Sequence, residues 1–122
     1  MNTRKIVTRT LNQFSDRGIK GTTLRTGKEV HVQDYDSGPD SMAMFLHVGL
    51  CTQVAAHIHR DTGTVRVIAE ARRNAKTGMR LLPSEREALV ATKLAAAVAA
   101  ALIPQLTPNG VEVLNDSAVL AL

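Results

Sequence analysis

From Met42 to Arg72 apolar and polar residues alternate almost without a break. Met42, Met44, Leu46, Val48, Leu50, Val54, Ala56 and Ile58 share one parity, and His47, His57 and His59 share the other. A period of two belongs to strands with one buried face. The stretch predicts the core of an antiparallel sheet, with the three histidines, Arg66 and Arg72 on the opposite face. It is too long for one strand and breaks near Gly49 to Thr52. A turn centred on Thr52 sets His47 opposite His57. A second turn, Asp61-Thr62-Gly63-Thr64, pairs Arg60 with Val65, Ile58 with Val67 and Ala56 with Ala69, and brings Arg66 beside His59. Met42, Phe45, Leu46, Leu50 and Val54 also fit helical spacing, so a helix over residues 40–54 competes with the strand reading.

Upstream, Val7, Leu11 and Phe14 follow helical spacing and predict a helix over Thr3 to Asp16, capped by Thr3 and ending before Gly18. Thr22 to Arg25 and Glu29 to Gln33 flank Thr26-Gly27-Lys28, a hairpin pattern with Gly27 in the left-handed conformation. Residues 34–41 (DYDSGPDS) form a loop by composition. Downstream, Thr77-Gly78 turns the chain after a strand over Val65 to Arg73, and Met79 to Leu82 adds a short strand. Ser84 and Glu87 form a capping box. The helix they open runs to about Leu102, where Pro104 ends it. From Leu94 onward it is apolar almost all round, so it must be covered on more than one side. One side is the sheet. The other is the N-terminal helix or a second copy of the chain, with Leu94, Ala97, Val98, Ala100 and Ala101 at that interface. Val111 to Leu114 and Ala118 to Leu122 add a small hairpin or an edge strand.

These elements make one α+β domain over residues 1–122. An N-terminal helix leads into an antiparallel meander of about five strands. A long alanine-rich helix then packs on one sheet face, and a short C-terminal β segment follows. Aromatic content is only 2%, so the core is aliphatic and self-association is a natural supplement. The net charge of +4 and pI near 9.7 favour polyanionic partners. Cys51 is the single cysteine. It excludes an intrachain disulfide and points to a reducing compartment. No segment reads as a signal peptide. The apolar run from Leu94 to Ile103 falls short of the roughly 20 residues that span a bilayer. A cytoplasmic or virion protein with no membrane partner is expected.

Candidate chemistry centres on the histidine face. His57 and His59 direct two imidazoles to one side of a strand. With His47 across the ladder, three nitrogens could converge on zinc. A cation at Arg66 opposes that, and ordinary strand histidines are the expectation, with no metal and no cofactor. Asp34, Asp36 and Asp40 lie downstream of His31 and could hold Mg²⁺ or Ca²⁺, but the calcium-loop pattern fails and turn formation explains the composition. No Gly-x-Ser-x-Gly elbow and no glycine-rich phosphate loop is present. Cys51 could pair with His47 or His57 as a thiolate, yet a cysteine between apolar strand residues is usually inert. Arg60, Arg66, Arg72, Arg73, Lys76 and Arg80 surround the same hairpin system. Such a cationic face can follow a phosphate backbone, although stacking aromatics beyond Phe45 are missing.

The segment SEREALVATKLAAAVAAALI resembles the interface helix in coat proteins of small RNA phages. That resemblance covers about a sixth of the chain and implies a helix following a sheet whose face binds RNA; the N-terminal helix here departs from the family. The helix–sheet–helix order is also similar to tail-terminator and neck proteins of tailed phages. The expected function is a non-enzymatic binding or assembly protein of phage or bacterial mobile-element origin, acting as a homo-oligomer. A nucleic-acid-binding protein using the cationic face is the first alternative. A small enzyme with a histidine-centred site is the second.

Overall fold

The computed structural model describes residues 2–34 and 41–116. The acidic loop with Asp36 and Asp40, and the segment 118–122, lie outside the described residues. The element order is α1 (Thr3–Gln13), β1 (His31–Asp34), β2 (Ser41–Val48), β3 (Thr52–His59), β4 (Thr64–Ala71), α2 (Glu85–Leu106), a 3-10 turn (Thr107–Asn109) and β5 (Glu112–Asn115). The sheet runs in order β1-β2-β3-β4-β5. Its first three pairings are antiparallel, and β5 lies parallel to β4. The α+β architecture read from the hydropathy pattern is the architecture of the chain, and residues 41–48 are strand rather than helix.

The buried parity is the expected one except at Leu50, which lies in the β2–β3 loop and is 81% exposed. Met42, Met44, Leu46 and Val48 on β2, Val54, Ala56 and Ile58 on β3, and Val65, Val67 and Ala69 on β4 are all buried. Against them pack Val7 and Leu11 of α1 and Ala91, Ala95, Val98, Ala99, Leu102 and Leu106 of α2. Alanines on the inner stripe of α2 let the helix backbone approach the sheet closely, which an aromatic-poor core requires.

Both hairpin registers differ from the expected ones by an even number of residues. His47 pairs with Gln53, not His57, because the β2–β3 loop is only Gly49-Leu50-Cys51 and Val48 pairs with Thr52. Gly49 takes the left-handed conformation that closes it, at φ +64°. Ile58 pairs with Val65 and His57 with Arg66, because the next loop is 60–63 with Gly63 left-handed. An even slip leaves every side chain on its face, so the core is blind to it.

The hairpin expected over residues 22–33 does not form. The chain instead runs beside the end of β2, with Thr26 bridged to Val48 and the Gly27 N–H donating to the His47 carbonyl at 2.8 Å. Gly27 is not left-handed. Its role is close approach, since a Cβ there would lie 3.3 Å from the Cβ of His47.

Helix ends also shift. Asn2, not Thr3, caps α1 by accepting from the Lys5 N–H, and the helix stops at Gln13. Met79 to Leu82 contributes one bridge, Arg73 to Arg80, rather than a strand.

Pro104 does not end α2. The helix continues to Leu106, which is fully buried, and Gln105 fastens that turn to the Thr10 hydroxyl and to Arg9 of α1. The burial of Leu106 outweighs the one backbone bond that proline removes. Within Glu85–Asn109 an 18-residue window with a mean hydropathy of 1.7 is long and apolar enough to cross a membrane, a property the core helix of a globular fold shares. In this fold its inner stripe is the core of the chain.

The open face of the sheet as a candidate binding site

Among the described residues the helices pack on one face of the sheet; the other carries the His47 parity, with Ala43 and Ala55 buried on it. The side chains of this second face fall in rows set by the ladder. One row crosses His47, Gln53 and Glu70. The next crosses His31, Phe45, Ala55 and Ile68. A third crosses Gln33, Ala43, His57 and Arg66. His59 belongs to a fourth, beside Ser41 and Thr64. Rows two residues apart are separated by roughly 7 Å along the strands.

This geometry separates the histidines. His59 lies three rows from His47, a distance of roughly 20 Å. His57 is two rows from His47 and one strand across. Among the described residues no group of three His, Cys, Asp or Glu side chains is placed to hold a metal ion. Cys51 sits in the β2–β3 loop, six residues from His57, and its backbone N–H donates to Glu87.

The ladder assembles a ring cluster instead. The His31 ring stacks on Phe45 with centroids 5.1 Å apart and on His47 at 4.5 Å, and Phe45 meets His47 at 5.9 Å. His31 was grouped with the acidic loop in the sequence. Its place here follows from β1 pairing with β2, which the misplaced hairpin conceals. Burial, the nearby Arg72 guanidinium and His31 lower the His47 pKa from 6.5 to about 4. Burial also lowers the pKa of His57; Glu70 pulls it up, while His59 and Arg66 add to the lowering. Both imidazoles are therefore neutral at pH 7, and each presents one donor and one acceptor.

Beside the rings lies a shallow concavity of about 400 Å³, bounded by His47, Gln53, His57, Glu70, Arg72 and Arg73. The Gln53 side-chain amide donates to a Glu70 carboxylate oxygen at 2.8 Å. Arg72 donates to the Leu50 carbonyl at 3.1 Å and Arg73 to the Gly78 carbonyl at 2.9 Å, so both guanidinium groups are oriented by backbone. Each retains further N–H donors. Lys76 and Arg80 are exposed nearby on the 74–80 turn. Arg66 pairs with Asp116 at 3.2 Å, and Arg60 is exposed in the β3–β4 turn at the far end of the ladder. Of the six basic residues, Arg72 and Arg73 border the concavity, Lys76 and Arg80 lie on the turn that follows, Arg66 is opposite His57, and Arg60 is at the far end.

On the opposite side of the molecule, the residues expected at an interface separate as well. Val98 is fully buried in the core, and Leu94 and Ala101 are half-buried. Ala97 and Ala100 face outward, in line with Leu89 (55% exposed) and Ile103 (44% exposed). Comparison of the chain with family models, curated proteins and solved structures finds no match.

Proposed function

We propose that this chain is a non-enzymatic nucleic-acid-binding protein whose ligand lies across the open sheet face. The observation that supports this reading is the ring cluster His31–Phe45–His47 beside Arg72 and Arg73, with Lys76 exposed on the turn that follows. A single-stranded segment binds where π surfaces take its bases and cations follow its backbone. The sequence suggests the cations and leaves the stacking surface in doubt; the ladder supplies that surface from two histidines and a phenylalanine. The neutral His47 imidazole suits the role, since an uncharged ring stacks without the desolvation cost of a cation.

The test is anisotropy of a labelled unstructured octanucleotide at increasing salt. With three contacts (Arg72, Arg73 and Lys76), the slope of log K against log salt is about −2. The double variant R72Q/R73Q flattens it by about 1.4. Absence of binding at low salt, or a slope indifferent to the variant, removes the proposal.

Self-association is a second reading, supported by the outward line Leu89, Ala97, Ala100 and Ile103 on α2. The two surfaces are on opposite sides of the sheet. A homo-oligomer joined through α2 leaves every sheet face open to nucleic acid, so assembly and binding are compatible in one particle.

A further inference from the structure

We propose that the concavity beside the ring cluster is a guanine subsite in which Glu70 selects the base. This inference rests on the nucleic-acid reading above and adds a base preference to it.

Glu70 is the acidic side chain that borders the concavity. A carboxylate in a phosphate-binding surface repels the ligand, so its presence there calls for a compensating contact. Gln53 holds one carboxylate oxygen at 2.8 Å, which fixes the group's orientation while leaving lone pairs on both oxygens. An ionised carboxylate accepts two parallel N–H bonds. Among the four bases, guanine alone carries two adjacent donors on its Watson–Crick edge, the ring N1–H and the exocyclic N2 amine. Adenine and cytosine each put an acceptor next to a donor, and uracil puts one donor between two acceptors. Each of these sets a lone pair against the carboxylate.

The surroundings fit a base in that position. His47 is opposite Gln53, and Gln53 opposite Glu70, so one ladder row carries a ring, an amide and the carboxylate. Phe45 and His47 offer ring surface, and Arg72 and Arg73 stand at the rim where the attached phosphate must pass. A volume of about 400 Å³ lies at the small end of ligand sites and suits one nucleoside.

The experiment compares octa-uridine with three versions carrying guanosine, inosine or adenosine at one central position. The wild-type chain should bind the guanosine version about tenfold more tightly than the adenosine version. Inosine, which lacks the N2 amine, should fall between them. E70Q should abolish the preference and, having lost the charge that repels phosphate, bind octa-uridine more tightly than wild type. Q53A, which frees the carboxylate without removing it, should weaken the preference without reversing it. Equal affinity for all versions in a wild-type chain that binds octa-uridine overturns the subsite and leaves the nucleic-acid reading standing. A preference that survives E70Q overturns it too. Failure to bind any version at low salt overturns both.

Discussion

Replacing Glu87 should cost more than any other single polar substitution among the described residues, because it joins the long helix to the first hairpin. Glu87 occupies the third position of α2. Ser84 caps its N–H at 3.1 Å, but the Glu87 side chain turns inward and is only 8% exposed. There it accepts from the Cys51 N–H at 2.8 Å and lies 3.4 Å from the Thr52 hydroxyl. That hydroxyl has one proton, and its shorter bond is to the Val48 carbonyl. The Cys51 N–H is therefore the donor that depends on Glu87. A charge-assisted bond of this kind contributes about 1.5–3 kcal/mol, and the helix N-terminus adds about 0.5 kcal/mol. Glu87→Ala should lower stability by about 2–3 kcal/mol, or roughly 10 °C in Tm for a chain of this size. Glu87→Gln keeps an acceptor of the same shape and should cost about 1 kcal/mol. Gly49→Ala should be destabilising by itself, since its φ is +64° and a Cβ would meet the Glu87 carboxylate at 2.6 Å. Its cost should shrink in the Glu87→Ala background, where the carboxylate is gone. Thermal melts and urea titrations of wild type, the three single variants and the Gly49→Ala/Glu87→Ala double variant measure these differences. An alanine variant within 0.5 kcal/mol of wild type, or a glutamine variant as costly as alanine, refutes the reasoning.

Other outcomes follow from the two faces. Stability should fall on acidification from about pH 7 to pH 4. His47 has a folded pKa near 4, against 6.5 as its unperturbed value, and that of His57 is lowered as well, so the unfolded chain binds more protons in this window. Urea midpoints across pH check it, and His47→Gln should reduce the slope. Phe45→Ala should weaken oligonucleotide binding about tenfold or more while leaving the salt slope unchanged, because it removes stacking and no charge; anisotropy titrations measure both. Ala97→Glu with Ala100→Glu should leave the circular dichroism intact, both sites being exposed, and turn an oligomer into monomers by light scattering. A wild-type chain that is monomeric at millimolar concentration contradicts the self-association reading.

The fold was legible because parity survives register error. The even-numbered apolar residues of β2 and β3 stay on one face whichever even shift is chosen, so the core is readable from alternation, while Leu50 falls in the loop and is exposed. The arrangement of the other face could not be read that way. Whether His47 meets His57 or Gln53 depends on a three-residue loop closed by Gly49 and held through Cys51 by Glu87, a contact 36 residues away. Phe45 and His31 share a row only because β1 starts at His31, after an irregular segment that local hairpin rules misread. Pro104 misled for a related reason: a local breaker lost to the burial of Leu106. The basic residues are visible in the sequence, but that Arg72 and Arg73 border the concavity while Arg66 pairs across from His57 is set by the ladder.

The most direct test of the proposed binding face is an amide chemical-shift titration of the labelled protein with an unstructured octanucleotide. The account expects the largest changes at His31, Phe45, His47, Gln53, Glu70 and Arg73, with Leu89, Ala97 and Ile103 on the outer side of α2 unmoved. Changes centred on α2, or none at low salt, would contradict it.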